Sequence, residues 1–219
     1  MSEFCCNGCT KESFTLGESD KKVIINSTID YYNKNAEEYV KKTLSVDMNP
    51  AIDRFLSYVK PGGSILDIGC GSCRDSLVFR DKGYNVTPMD ASKELCNIVR
   101  KKFGFDVINM RFEDIDFKDR FDAAWACASL LHVSYPCVLD VLSKISASLK
   151  DGGILFASFK CGRSVDYDEN LRFFRYYIED DMEELFNEST GFKIIETWRF
   201  KDILQRDDTE WINVICRKI

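Results

Sequence analysis

Apolar positions change their spacing along this chain, and each change marks an element. Between Thr28 and Val46, Ile29, Tyr32, Ala36, Tyr39, Val40 and Thr43 recur at intervals of three and four, which predicts an amphipathic helix. A shorter helix is predicted from Pro50 to Tyr58, with the proline just inside the first turn behind Asn49, until KPGG ends it. Beyond this point short apolar runs alternate with helical patterns. Strands are predicted at 64–69, 84–89, 106–110, 121–127, 153–159, 192–200 and 210–217, with helices near 74–82, 92–102, 136–149 and 179–188. Strand followed by helix, repeated, dictates an α/β fold with a mostly parallel sheet covered on both faces. Two connections depart from that rule. MRFEDIDFKDR is too short for a full helix, and KDILQRDD lacks a helical period, so the last two strands are expected to form an antiparallel hairpin. Residues 1–26 show no period and are expected to be a flexible lead-in, leaving 27–219 as one domain whose first helices, within 27–60, cover the sheet.

The turn after the first strand, in SILDIGCGSCRDS, carries the chemistry. In open α/β sheets ligands sit beyond the carboxyl ends of the strands, where the first strand turns into its helix. Gly69 and Gly71 lie there, free in φ and bare enough for a ligand to rest against the backbone. A dinucleotide fingerprint, GxGxxG, would place its last glycine at position 74, which is Arg74. Asp67, two residues before the first glycine, would repel a pyrophosphate and attract a ligand bearing an ammonium and a sulfonium. S-adenosylmethionine (SAM) is such a ligand. The second strand ends in VTPMD, placing Asp90 where a carboxylate can accept from both ribose hydroxyls. The third ends in MRFED, with Phe112 as an apolar wall and Glu113 or Asp114 as an acceptor for an adenine amino group.

Composition and charge narrow the partners. With 219 residues the chain suits one core. A formal net charge of -6 argues against a surface that neutralises many phosphates, so nucleic acid is not an expected partner. No apolar run is long enough for a membrane span and the start lacks a secretory pattern, so a cytoplasmic location is expected. The 10 cysteines are scattered and read as reduced thiols. Cys5, Cys6 and Cys9 cluster in a polar tail without a second set of metal ligands, and no metal site is expected. Cys70 and Cys73 have CxxC spacing, but they lie inside the glycine turn, where backbone geometry accounts for the local sequence better than redox chemistry does.

With these residues in view, the chain resembles the class I SAM-dependent methyltransferases, and among them the branch related to tellurite-resistance methyltransferases. The likeness is carried by YYNKNAEEYV, LDIGCGSCRDS, VTPMDASKEL, FEDIDF, FDAAWACASLLHV, LKDGGILFASFK and WINVICRK. It implies a three-layer Rossmann-like fold with a seven-stranded sheet in the order 3-2-1-4-5-7-6, the seventh strand antiparallel. It also implies Asp67, Gly69 and Gly71 around the methionine end of the cofactor and Asp90 at the ribose, with Cys70, Arg74, Ala91 and Ser92 as further cofactor contacts. Phe112 and Glu113 would lie near adenine, and Ala126 and Cys127 beneath the sulfonium. One position departs: the family usually has glycine where this chain has Cys73, so a side chain is expected to crowd the start of the helix.

Methyl transfer from a sulfonium has an excellent leaving group, so the protein mainly aligns the reactants and excludes water, and a base is needed only when the nucleophile must lose a proton. His132, the one histidine, follows the fourth strand and is the candidate base. Substrate contacts are expected from Tyr32 and Tyr39 on the first helix, which also carries Tyr31. Arg172 and Arg175 are expected in the same role, from an insertion after the fifth strand that also holds Arg163, Tyr167 and Tyr176. The expected acceptor is a small molecule, with a metalloid oxyanion suggested by family analogy, and the expected assembly is a monomer or homodimer. A sensor that binds SAM or its demethylated product, a nucleic-acid methyltransferase and an NAD oxidoreductase stand as alternatives.

Overall fold

A computed structural model describes residues 18–135, 137–203 and 209–219. Helices α1 (Glu18–Lys34), α2 (Ala36–Thr43) and α3 (Asn49–Leu56) precede the sheet. The alternating core then runs β1 (Ser64–Ile68), α4 (Arg74–Asp81), β2 (Asn85–Asp90), α5 (Lys93–Phe103), β3 (Ile108–Asn109), β4 (Phe121–Ala126), α6 (Cys137–Ser148) and β5 (Leu149–Lys160). After it come β6 (Val165–Tyr167), β7 (Phe173–Arg175), α7 (Glu179–Leu185), β8 (Phe192–Lys201) and β9 (Glu210–Lys218). No helix among the described residues is long and apolar enough to cross a membrane.

Seven strands form one sheet in the order β3-β2-β1-β4-β5-β9-β8. Pairing is parallel from β3 to β5, whereas β9 runs antiparallel to both β5 and β8. Numbered over the large sheet alone, this is the expected order with the expected antiparallel strand. The segment between β3 and β4 holds only a short 3-10 turn at Phe112–Asp114, in keeping with its length.

Strand alternation assigns the two faces. Leu66, Ile68, Ala124, Ala126, Leu155 and Ala157 pack against Val138, Leu142 and Ile145 of α6 and Met182 of α7. Ile65, Ala123, Trp125, Ile154 and Phe156, one step out of phase, pack against Ile52 and Phe55 of α3 and Phe79 of α4. Trp125 and Phe156 stack at 3.8 Å in the middle of that face.

Three stretches differ from expectation. The helix predicted from Thr28 begins at Glu18, inside the segment read as a lead-in, and is two helices rather than one. They meet at Asn35, whose Nδ2 donates to the Tyr31 carbonyl (2.9 Å), a side-chain bond that competes with the helical ladder. The insertion after β5 is a small hairpin, β6 paired antiparallel with β7. Its strands of three residues are too short to show a period. Cys5, Cys6 and Cys9, and most of the connection between β8 and β9, lie outside the described residues.

Candidate functional site

β1 leaves the sheet through a turn held by one acceptor: the amides of Gly69 and Cys70 both donate to the Met89 carbonyl, each at 2.9 Å. Gly69 (φ 72°) and Gly71 (φ 52°) adopt left-handed backbone, and a Cβ on either would lie within 3 Å of Ser129 or Tyr39. Cys73 is left-handed too (φ 56°), so the chain keeps the path a glycine would take. The expected crowding does not occur. The Cys73 side chain is fully buried in a cluster with Cys96, Val99, Phe105 and Val107, facing away from the turn's mouth. The left-handed conformation costs a non-glycine residue about 1–2 kcal/mol, which burial of the thiol offsets in part.

Above this turn a cavity opens at the carboxyl ends of β1, β2 and β4. Of the residues expected to hold a cofactor, Gly69, Gly71, Asp90, Ala91, Ser92, Phe112 and Glu113 line it, together with Tyr32, Tyr39 and His132. Asp90 is anchored by two amides: Gly71 donates to its Oδ2 (2.9 Å) and Ser92 to its Oδ1 (2.8 Å). Burial raises its pKa, and these two donors counter the rise. Ser92 caps α5 by accepting from the Leu95 amide, and its hydroxyl donates to Asn33 of α1.

Asp67, Cys70, Arg74, Ala126 and Cys127, expected in the same place, are not in this lining. For Asp67 and Ala126 the cause is alternation. Asp67 shares a face with Ile65 and points under α4, where the Ser76 hydroxyl donates to its Oδ2 (2.5 Å). It is 2% exposed, and burial, with Asp75 nearby, pushes its pKa up to about 8. Ala126 shares the opposite face with Ala124 and is buried in the core. Cys70 packs against the cluster around Cys73, and burial holds its thiol well above the ordinary range, which suits neither a redox nor a nucleophilic role.

Arg74 and Cys127 line a second cavity on the far side of Tyr32 and Tyr39. Arg74 is clamped by Asp75 (2.6 and 2.8 Å), which in turn accepts from Trp125 Nε1 (2.9 Å). Burial, assisted by Asp75, pushes the Cys127 thiol up to about 12, so it stays protonated. Lys160, Arg172, Phe174, Phe200 and Trp211 complete much of the wall. Arg172 is paired with Asp168 (2.6 Å) and lies 4.4 Å from the centre of the Tyr31 ring. Arg175 is excluded by the alternation of β7: Phe174 faces the cavity, and Arg175 turns away to lie over Tyr135 (5.0 Å) and Tyr177 (5.3 Å).

Four residues, Tyr32, Tyr39, Ala128 and His132, belong to both cavities and form the wall between them. His132 Nδ1 lies 2.6 Å from the Phe173 carbonyl and Nε2 lies 2.9 Å from the Tyr32 hydroxyl. Burial lowers its pKa to about 4, with Arg172 and Lys160 adding to the fall, so the ring is neutral near pH 7.

Sequence reasoning passed over Arg111, Ala128 and Ser129, all of which line the first cavity. Ser129 is 4% exposed, and its Oγ, buried beside the cleft, has no hydrogen-bond partner among the described residues. Ala128 is left-handed (φ 52°), and its amide donates to Ser158 Oγ (2.7 Å). The signal was the run of small residues ACAS just past β4, where a ligand can approach the backbone.

Residues 65–153 match the family described as "Methyltransferase domain". An uncharacterized methyltransferase of Staphylococcus carnosus is 30% identical over 115 residues, covering 52% of this chain and 55% of that protein. The chain spans about half the length of the curated relatives it matches. Among solved structures, the 1,6-didemethyltoxoflavin-N1-methyltransferase of Burkholderia thailandensis has a TM-score of 0.76 at 20% identity, covering 93% of this chain and 91% of that one. That structure contains 1,6-didemethyltoxoflavin and S-adenosylhomocysteine. A SAM-dependent methyltransferase from Methanosarcina mazei has a TM-score of 0.65 at 20% identity, over 79% of this chain and 99% of that one. The fold is the three-layer Rossmann-like fold of methyltransferases, with its cleft at the carboxyl ends of the strands.

Proposed function

We propose that this chain is a SAM-dependent methyltransferase that holds SAM in the first cavity and a small-molecule acceptor in the second. The observation that carries this is the pair of cavities meeting at one thin wall, with the methyltransferase-domain match at 65–153 taking in most of the first cavity's lining. SAM would supply a methyl group on a sulfonium, a centre already activated for displacement. The cleft suits such a ligand on its own chemistry. Two carboxylates, Asp90 and Glu113, face it against one guanidinium, Arg111, a balance that disfavours a diphosphate. The orphaned Ser129 hydroxyl offers a further donor or acceptor.

In this assignment Asp90 accepts from the ribose, with Ala91 and Ser92 beside it, and Phe112 and Glu113 flank the adenine. The Gly69–Gly71 turn takes the methionine end. The carboxylate discrimination expected of Asp67 passes to Asp90 and Glu113, because Asp67 is set back beneath the turn.

The second cavity supports a small, flat acceptor. Phe174, Phe200 and Trp211 supply apolar surface, and the charged lining is Arg74, Lys160 and Arg172 with Asp202, the two arginines being held by Asp75 and Asp168. A metalloid oxyanion would use the cations and leave the aromatic surface bare. The small molecule bound by the Burkholderia neighbour supports an organic acceptor. Tyr32, Tyr39 and Arg172 are its expected contacts, His132 stands where a base is needed, and a cytoplasmic enzyme without nucleic acid as substrate completes the reading.

Incubation with methyl-labelled SAM and a small-molecule extract of the source cell tests this. Label should enter one low-molecular-mass product, and calorimetry should show one SAM site per chain. Tight binding with no labelled product would leave a cofactor sensor, whereas saturable NAD binding without SAM binding would remove the assignment altogether.

A further inference from the structure

The shared wall contains a hydrogen-bonded chain whose polarity can be read from its ends. A carbonyl oxygen only accepts, so the 2.6 Å contact with Phe173 requires the proton on His132 Nδ1. In the neutral ring Nε2 is then bare and accepts from the Tyr32 hydroxyl at 2.9 Å. The Phe173 end is fixed in its turn, since its amide donates to Thr28 Oγ1 (3.0 Å) on α1. Tyr32 therefore stands in front of His132 and occupies the one nitrogen that could take a proton.

We infer that Tyr32 and His132 act as a two-residue relay that removes the acceptor's proton during methyl transfer, with Tyr32 meeting the acceptor and His132 storing the proton. The inference rests on the transferase reading above. As the acceptor's lone pair bonds to the methyl carbon, the electrons of the carbon–sulfur bond stay on sulfur and the sulfonium becomes a neutral thioether. The acceptor is left one positive charge richer. Its proton passes to the Tyr32 oxygen while the Tyr32 proton passes to Nε2, so tyrosine ends neutral and histidine ends as imidazolium. That proton returns to solvent once the product has left.

Neither residue suffices alone. Burial holds the Tyr32 hydroxyl up near 12, with Arg172 opposing the rise through charge and a hydrogen bond, so Tyr32 cannot wait as a phenolate at neutral pH. His132 is shielded by Tyr32 from the second cavity's contents along its Nε2 direction. The charged and titratable groups around the pair are Arg172 and Asp168 from the insertion, Lys160 from β5, Asp90 from β2, Tyr31 from α1 and Tyr39 from α2. Burial, with Arg172 and Lys160 adding to it, makes imidazolium costly, so His132 is a weak base. The relay therefore matters for an acceptor that becomes a strong acid as it is methylated, a weakly basic ring N–H or a hydroxyl, whereas a neutral alkylamine can leave as its ammonium and needs no base.

His132 is the single histidine, so protein grown with nitrogen-15 histidine gives one imidazole spin system. The expected spectrum at pH 7 is a neutral ring with the proton on Nδ1. In Tyr32→Phe the Nε2 resonance should move and the protonation midpoint should rise, because the donor that favours the neutral ring is gone. With the labelled product from the extract as readout, Tyr32→Phe and His132→Gln should each lower kcat about 100-fold. KM and S-adenosylhomocysteine affinity should stay within about threefold, and the double variant should be no slower than the worse single. A proton on Nε2, an imidazolium at pH 7, losses that multiply, or a Tyr32→Phe enzyme with wild-type kcat would each overturn the relay. Failure of the transferase reading looks different: wild-type protein would bind S-adenosylhomocysteine and label nothing, and the relay would fall with it.

Discussion

Asp90 spends one carboxylate oxygen on the Gly71 amide and the other on the Ser92 amide, so it fixes both the glycine turn and the start of α5. An Asp90→Asn change would present an amide N–H to one of those donors while weakening the acceptor offered to ligand hydroxyls. Hydrogen bonds to a charged group contribute about 1.5–3 kcal/mol, so S-adenosylhomocysteine affinity measured by calorimetry should fall about 10- to 100-fold. Asp67 makes a different prediction. Its folded pKa, about 8, lies above the ordinary carboxylate value of 3.8, so between these the folded state binds more protons than the unfolded state. The stability contributed by the protonated form is whole below pH ~4 and is lost as pH rises through ~8. Asp67→Asn can still accept from Ser76 and should remove that decline, raising the Tm at pH 8 more than at pH 5. At Cys73, glycine would relieve the left-handed strain but empty a packed site, so Cys73→Gly should change stability by less than about 1–2 kcal/mol. Cofactor affinity should be unchanged, since the thiol points into the core, and a severalfold gain would show that it obstructs the loop after all.

At the scale of elements, α1 is latched over the cleft by separate side-chain bonds. Arg111 donates to Asn26, the Phe173 amide to Thr28, and Ser92 and the Glu94 amide to Asn33, with the Tyr32–His132 contact between them. These are few and spread along one face, whereas β1, β4 and β5 are buried in the sheet's centre. Amides of α1 should therefore exchange with deuterium well before those of the central strands, and S-adenosylhomocysteine should slow α1 selectively; equal protection with and without ligand would argue against α1 as the cover of the site. From β1 onward the strands of the large sheet and helices α4 to α7 were legible from period alone, because a covered sheet demands strand and helix in turn, whereas the start of α1 was not. Parity within strands was not. The phase that puts Ile65 under α3 and α4 also carries Asp67 there, and the phase that puts Phe174 in the second cavity turns Arg175 out of it. A sequence shows that faces alternate, and only the packed neighbours show which face is which. The β6–β7 hairpin was illegible for want of length, and the break at Asn35 because tyrosines continue the apolar stripe across it.

Over the whole molecule, a ligand that binds only the folded state stabilises it in proportion to its excess over Kd. S-adenosylhomocysteine at about 100 times its Kd should add about 2.7 kcal/mol, a rise in Tm of about 5–10 °C for a chain of this size. NAD at the same concentration should leave Tm within ~1 °C. The turn at Gly69, the carboxylate at Asp90 and the aromatic at Phe112 were legible because each lies at a strand end, where the topology of the sheet gathers them whatever the intervening helices do. Ser129 and the second cavity were not, since they depend on how α1, the insertion and β8 come together from sequence positions more than a hundred residues apart.

Because Tyr32, Tyr39, Ala128 and His132 bound both cavities, any occupant that settles them on one side reshapes the room on the other. Linkage makes that influence mutual: whatever factor an acceptor gains from a resident nucleoside, the nucleoside gains from the acceptor. The missing substrate can therefore be hunted without turnover. Compounds need only be ranked by how long each prolongs the stay of a fluorescent S-adenosylhomocysteine analogue, and those that hold it longest are the ones that fit next door.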